Sequence, residues 1–443
     1  MKRIVILWSY LLLYTSIFAQ LSDKEADIIG EMDQQIQRMD DVIKTLQKFN
    51  VSGYIQTQYQ YAEVDADGTY FKLANRANAY EVNELKGYGR FGIRRGRIKF
   101  TYEDGLVQGV FQPDITERGV SVKDVYLAVK DPLFETNVLY AGIFNRPFGH
   151  EVAWSSSRRE SPERARIIQS IFPDERDLGV MLTLQPAKTS KLNRLKLDAG
   201  LFAGNGIRPQ ISTRMDFIGR LSFTQLIGYD MQLGLGVSAY SGGVLQTDSQ
   251  RYVMRDKQFV LESNAPGNKG RYAKRRYFGF DIQFSMVTAA GFTQVRGEYI
   301  AGEHPGNANS AYDFKPDALQ SGPVYMRKIS GGYVILAQDF GTTPFTFVGK
   351  FDRYNPNTEV SGNDIGTADT RTGAGDIARS TIGLGLLWRI SPALRMTAYY
   401  DIVKNETTNQ LKDTTDEFGK ITRYGYEGQR KENVFTLRLQ YRF

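Results

Sequence analysis

The composition of this 443-residue chain excludes thiol chemistry, because it contains no cysteine for disulfides, catalysis or thiolate metal sites. Its 43 Gly, 26 Tyr and 26 Phe and its modest overall hydropathy favour alternating strands and turns over apolar helices. The net charge of +7 lies in residues 49–443, which carry about +8 once Lys2, Arg3 and the net −3 of residues 21–48 are set aside. Anions are therefore the expected small partners.

The first 19 residues have the pattern of a bacterial signal peptide. Lys2 and Arg3 precede an apolar run at residues 4–14, and Ala19 offers a cleavage site before Gln20. The run is shorter than the roughly 20 residues that a membrane-spanning helix needs. Export also argues against nucleic acid, the usual partner of a basic chain, so we expect no nucleic-acid partner.

Residues 20–48 are predicted to form a periplasmic amphipathic helix. Apolar residues recur at alternating steps of three and four, as in a heptad seam: Ile29, Met32, Ile36, Met39, Ile43 and Leu46. The seam covers only about two and a half heptads, too few to be stable alone. Either the helix packs on the base of the following domain, or it forms a short coiled coil between subunits that already associate; the second is favoured.

From residue 49 the hydrophobic period becomes two, which predicts strands. Sixteen strands are expected, an even number, as a closed bacterial barrel requires. They cover 51–63, 89–102, 106–115, 120–130, 138–148, 177–187, 194–203, 213–224, 230–241, 274–288, 291–302, 326–338, 344–354, 378–390, 393–404 and 432–443. Short and long connections mostly alternate between them, as periplasmic turns and outer loops do. The predicted fold is all-β, a 16-stranded antiparallel transmembrane β-barrel over 49–443 in the bacterial outer membrane.

One early strand predicts a basic pore wall. Arg95, Arg97 and Lys99 share one parity, but the apolar residues of the strand change parity midway, so we expect a bulge near Gly96. With the bulge, the three cations face a water-filled lumen, where fixed positive charge lowers the barrier for anions.

The loop at residues 149–176 is predicted to fold inward and narrow the pore. Arginine and serine offer the donors that phosphate and carboxylate oxygens need. The candidate ligands are Ser155, Ser156, Ser157, Arg158, Arg159, Arg164 and Arg166. Acidic residues share the loop, so part of the arginine is expected to form structural ion pairs.

The last strand, Phe435–Phe443, indicates how the barrel closes. Alternate residues are apolar and end on a terminal Phe, whereas the other face carries Arg438 and Arg442. A strand between lipid and a wet lumen needs this arrangement, and Arg438 joins the predicted pore wall.

The central part of the chain resembles the phosphate-selective porin O and P family. The resemblance covers roughly residues 120–185 and rests on five motifs: Asp124-Val125-Tyr126, A-G-I-F-N-R-P-F-G-H-E at 141–151, Ser155-Ser156-Ser157-Arg158, Glu163-Arg164 and Arg176-Asp177-Leu178-Gly179-Val180. It implies a homotrimeric, anion-conducting porin with its third loop in the pore. Phosphate is the leading candidate anion, but phosphate selectivity does not follow from the resemblance, because the basic residues here are interleaved with acids.

Other functions remain open at this stage. A general, weakly selective porin or a non-conducting binding or anchoring barrel has the same architecture. A neutral-sugar channel would line its lumen with aromatics, which here mostly share the lipid-facing parity. An enzyme built on His150, Glu151 and the nearby serines lacks a nucleophile motif, so we expect no enzyme, and we expect no metal or other cofactor. The barrel is expected to be surrounded by outer-membrane lipid.

Overall fold

The computed structural model describes Met32, Gln35 and residues 37–40, 42–68, 70–73, 87–210, 212–308, 322–419 and 421–443. The predicted signal peptide lies outside these residues. The described residues of the predicted N-terminal helix are helical as far as Gln47, and Met39, Ile43 and Leu46 of its seam are 48–63% exposed. Among the described residues no helix is long and apolar enough to cross a membrane. The short coiled coil remains a prediction.

The described residues after this helix form twenty strands, two of them very short. Their bounds are β1 (Phe49–Ala62), β2 (Tyr88–Asp104), β3 (Val107–Thr116), β4 (Gly119–Lys130), β5 (Val138–Asn145), β6 (Arg176–Leu184), β7 (Leu195–Phe202), β8 (Asp216–Ile227), β9 (Met231–Leu245), β10 (Arg251–Arg255), β11 (Gln258–Ser263), β12 (Tyr272–Thr288), β13 (Gly291–Gly306), β14 (Val324–Asp339), β15 (Phe345–Asn355), β16 (Arg379–Arg389), β17 (Leu394–Asn405), β18 (Thr414–Thr415), β19 (Ile421–Arg423) and β20 (Val434–Arg442).

Sixteen of these strands close into one antiparallel barrel. Each pairs with its neighbour in the chain, the hairpin β10–β11 and the pair β18–β19 lie in outer loops, and β20 pairs with both β17 and β1. At the seam, the backbone N–H and C=O groups of Gly53 and Phe443 exchange two hydrogen bonds of 2.9 and 3.0 Å. The predicted sixteen-stranded barrel is confirmed, with strand ends shifted by up to three residues at most positions.

The outside of the barrel is an apolar belt. In the middle of β12 the exposed apolar residues are Phe278, Phe280 and Ile282, and their chain neighbours face inward. The last strand follows its predicted pattern: Leu439 and Tyr441 are exposed to the outside, while Arg438 is buried inside. A soluble domain does not expose such a large continuous apolar surface to water. The barrel therefore spans a membrane.

The bulge in β2 is present, two residues earlier than predicted. Thr57 and Gln56 of β1 pair with Ile93 and Arg95, so Arg94 is the extra residue. Arg94 and Arg95 both point toward the lumen as a result, because an extra residue lets two neighbours share one face.

Three of the long outer loops share an apolar cluster above the barrel wall. Tyr252 and Phe259 of the β10–β11 hairpin, Ile365 and Ile377 of the loop after β15, and Tyr426 of the last loop are buried together. The loops on this side of the barrel are therefore packed against one another.

Candidate functional site

The loop between β5 and β6, residues 146–175, folds into the barrel and is called here the inserted loop. Its backbone reaches strands on opposite sides of the lumen. Gly149 N donates to Ser238 Oγ of β9 at 2.9 Å, and Arg395 of β17 donates to the carbonyl of Arg159 at 2.8 Å. The loop therefore crosses the lumen rather than standing above it.

An apolar core holds the inserted loop in place. Phe148, Phe172 and the short helix Arg166–Ile171 are buried against inward-facing aromatics of the wall. These aromatics include Phe202, Tyr240, Tyr277, Tyr333, Tyr354 and Tyr399. The sequence interpretation placed most aromatics on the lipid face; this set lies inside because the loop supplies an apolar partner within the lumen.

Gly149 lets the loop turn against the wall. Its φ is +61°, and a Cβ there would overlap the carboxylate of Glu298. The backbone N–H groups of His150 and Glu151 donate to the same carboxylate at 3.2 and 3.1 Å. Only glycine combines this backbone conformation with so close an approach.

Glu163 is the electrostatic centre where the inserted loop meets the wall. Its carboxylate accepts hydrogen bonds from Arg94 at 2.7 and 2.8 Å and from Arg438 at 3.0 Å, and Arg95 lies 3.6 Å away. Burial alone would raise the pKa of Glu163, but the guanidinium groups of Arg94, Arg95 and Arg438 outweigh it and hold that pKa well below its usual range. The single carboxylate of Glu163 thus lies within ion-pair distance of three guanidinium groups.

Three of the four predicted loop arginines make internal contacts. Arg159 donates to the carbonyls of Ser161 and Pro162 at 3.2 and 2.9 Å, and Arg164 pairs with Glu175 and donates to the Glu151 carbonyl. Arg166 is fully buried and pairs with Asp67 at 2.7 Å, with its guanidinium 4.0 Å from the centre of the Tyr70 ring. Arg159 and Arg164 therefore hold the inserted loop to itself, and Arg166 holds it to the loop that follows β1.

Arg158 and the serines lie differently. Arg158 is exposed and has no ion pair among the described residues. Ser156 is buried, with its Oγ 2.5 Å from Tyr54 OH and 3.3 Å from Arg97 Nη1. Ser155 and Ser157 bond each other at 3.0 Å. Among the described residues, Ser156 is therefore the one predicted loop ligand whose side chain hydrogen-bonds to a predicted wall arginine.

The predicted wall residues all face the lumen. Arg97 pairs with Asp114 at 2.9 Å, and Arg95 donates to Gln56 at 2.8 Å. Arg438 donates to Gln58 at 2.9 Å and to the Pro162 carbonyl of the inserted loop at 2.8 Å. Lys99 is half-buried and has no ion pair among the described residues.

A cavity of about 290 Å³ opens at the outer ends of β1–β4. Five bases and two acids line it: Lys72, Arg90, Arg94, Arg118, Lys123, Asp114 and Glu117. Asp114 is paired with Arg97, and Glu117 accepts from the backbone N–H of Ile93. Lys72, Arg90 and Lys123 have no acidic partner within the described part of the chain. We call this space the outer cavity; it carries a local excess of positive charge.

Sequence reasoning missed the residues of the outer cavity. Arg90 and Arg94 stand on the same strand as the predicted Arg95, so the strand pattern contained a usable signal. Lys123 is the extra residue of a second bulge, since Gln112 and Pro113 pair with Asp124 and Val122. Only the register shows that Lys123 joins this cavity.

A second cavity of about 480 Å³ lies at the other end, beside the short turn after β16. Its charged lining is Arg158, Arg389, Arg395, Arg442, Glu160 and Asp339. We call it the inner cavity. It is again more basic than acidic, so cations line both ends of the lumen.

His150 makes no bond to the nearby serines in the described structure. Its ring packs 5.0 Å from Trp154, and burial, with Arg296 nearby, lowers the pKa of His150 to about 4. Among the described residues, no three His, Asp or Glu side chains group as metal ligands.

Comparisons with known proteins show similarity in fold only. No protein-family model matches the sequence, and no curated protein matches it. Among solved structures, OmpT, an outer membrane protein of Vibrio cholerae (trimer form), is 12% identical, with 89% of this chain and 99% of that chain covered and a TM-score of 0.50. An anion-selective porin from Comamonas acidovorans is 11% identical, with the same coverage and TM-score. This chain has the porin fold, a closed 16-stranded antiparallel barrel.

Proposed function

We propose that this protein is an outer-membrane porin that lets small anions diffuse passively, with phosphate the leading candidate. One observation carries the proposal: a row of cations runs down the inward face of β2. Arg90, Arg94, Arg95, Arg97 and Lys99 follow one another there. At about 3.3 Å per residue the row spans about 30 Å, comparable to the thickness of a bilayer core.

The row links the two basic ends of the lumen. Arg90 and Arg94 line the outer cavity, Arg95 and Arg97 stand beside Glu163 and Ser156 of the inserted loop, and Lys99 lies toward the inner end. Closely spaced fixed charges let an anion replace lost hydration at each step without being trapped at one site. The inserted loop is the proposed constriction, with Arg158 exposed at its inner side.

We further propose a homotrimer. The solved V. cholerae protein of similar fold is described in a trimer form, and the exposed seam of the N-terminal helix suits a short coiled coil between copies. The resemblance of residues 120–185 to phosphate-selective porins supports the choice of phosphate.

The test of the proposed function is planar-bilayer conductance of the refolded protein with a KCl gradient. We expect an open current whose reversal potential shows anion preference, reduced by millimolar phosphate. Open but unselective current would indicate a general porin. The absence of any current would indicate a binding or anchoring barrel and contradict the proposal.

The anion preference is expected to fall as the pH rises, and to do so at a lower pH than the titration of an ordinary lysine would give. Burial, with Arg94 adding to it, lowers the pKa of Lys72 in the outer cavity, although Glu163 acts against the shift. Lys72 loses its charge as the pH rises through that lowered pKa. Reversal potentials between pH 7 and 10 measure the effect.

The matched variant is Lys72→Arg, since a guanidinium stays charged over this range. It is expected to flatten the decline, whereas Lys188→Arg at an exposed turn residue leaves it unchanged. A decline as steep in Lys72→Arg as in the wild type would show that Lys72 is not the titrating group.

A further inference from the structure

Cations on the outward face of the barrel are confined to one side. Near the outer ends of the strands they are Lys274, Arg276, Lys328, Arg353 and Lys404, on β12, β14, β15 and β17. The outward positions at the corresponding ends of β1–β9 carry apolar, small or uncharged side chains, with no Lys or Arg among them. This asymmetry distinguishes two halves of the outer surface.

The strand register places Arg353 and Lys404 in one row, whereas Arg276 and Lys328 lie in another row, four residues nearer the outer end, on either side of Glu303. Arg353 pairs across with Gly332 on one side and with Ser380 on the other, and Ser380 pairs with Lys404. Neighbouring strands lie about 4.8 Å apart, so Arg353 and Lys404 are about 10 Å apart along one row. Neither has an ion pair in the described parts of the chain, whereas Lys328 pairs with Glu359 at 2.9 Å.

An apolar groove of about 550 Å³ leads from Arg353 down the belt. Gly297 and Gly332 leave its floor without side chains, and Phe280, Tyr299, Val334 and Phe351 form its sides. At Gly332 a Cβ would overlap the carbonyl oxygen of Glu298, so the floor has no room for a side chain there. The groove thus has a polar upper end and an apolar body.

We infer that this groove binds a phosphate-bearing lipid of the outer leaflet. One acyl chain lies along the glycine floor, and the phosphate is held by Arg353 with Lys404 nearby. The charge pattern selects this occupant, because an anionic headgroup complements cations that stand where the belt meets the polar layer. A second copy of the chain is disfavoured, since an interface here would bury Arg353 without an acidic partner from the groove.

The inference depends on the membrane location of the barrel and not on conductance, so the two can fail separately. Native mass spectrometry of the purified, full-length protein in detergent measures the binding of dioleoyl phosphatidic acid and of dioleoylglycerol, which lacks the phosphate. Phosphatidic acid is expected to bind about tenfold more tightly. Equal binding of the two lipids would overturn the inference.

Two kinds of variant distinguish the contribution of the lipid headgroup to binding from that of the acyl chain. Arg353→Gln with Lys404→Gln is expected to remove the preference for phosphatidic acid, with Lys188→Gln as the control. Gly297→Val, where a Cβ meets its neighbours no closer than 3.3 Å, is expected to weaken both lipids, with the outward-facing Gly109→Val on β3 as the control. A double variant that keeps the preference contradicts the headgroup site. If Gly297→Val changes the number of subunits in the assembly and leaves lipid binding unchanged, the groove is a contact between subunits and the inference is wrong.

Discussion

Replacing Glu163 with alanine is expected to destabilise the barrel by about 3–5 kcal/mol, the usual cost of leaving buried charges without their partner. The variant leaves Arg94, Arg95 and Arg438 facing one another in the space where the inserted loop meets the wall. Their repulsion acts on the wall side of the loop, so the loop should also loosen. The urea midpoint of unfolding in detergent measures stability, and single-channel conductance reports the loop.

The matched control is Asp174→Ala, because Asp174 lies in the same loop and has no ion pair among the described residues. It should unfold with nearly the wild-type midpoint and conduct as the wild type does. Glu163→Gln is intermediate, since an amide oxygen still accepts one of the arginine hydrogen bonds. If Glu163→Ala and Asp174→Ala unfold alike and conduct alike, Glu163 does not hold the loop.

Removing three of the outer-cavity cations that have no ion pair among the described residues is expected to lower the anion-to-cation permeability ratio about tenfold. The change is Lys72→Gln, Arg90→Gln and Lys123→Gln together. None of the three forms an ion pair in the described part of the chain, so no contacting carboxylate cancels their field before it reaches passing ions. Each supplies on the order of 0.5 kcal/mol at the water-exposed wall, and three together approach 1.4 kcal/mol.

Reversal potentials in a KCl gradient measure this ratio, and repeating them at high salt should shrink the difference by screening. The control triple is Lys188→Gln, Lys191→Gln and Arg194→Gln, which removes the same charge from an exposed turn. A ratio that changes equally in both triples would assign the effect to net charge. An unchanged ratio in the cavity triple would exclude the outer cavity from the anion pathway.

The predicted and observed sites differ most in the inserted loop. The sequence correctly places arginines and serines there, but it cannot show which arginines are already occupied. Arg164 forms an ion pair with Glu175, and Arg166 forms one with Asp67, which lies 99 positions earlier in the loop after β1. The prediction for the pore wall was more accurate. Arg95, Arg97 and Lys99 could be assigned to the lumen because alternate residues of a strand face opposite sides of the sheet.

The sequence by itself determined the barrel, its sixteen strands, the lipid-facing belt and the basic strand. All of these follow from a period of two, which is local: each residue faces lipid or lumen according to its immediate neighbours. Only the tertiary structure decided the site. Glu163 meets Arg438 across 275 residues of chain, and Lys123 enters the outer cavity through a bulge set by its partner strand. Such contacts depend on strand register and on loop insertion, which bring together side chains that no local pattern relates.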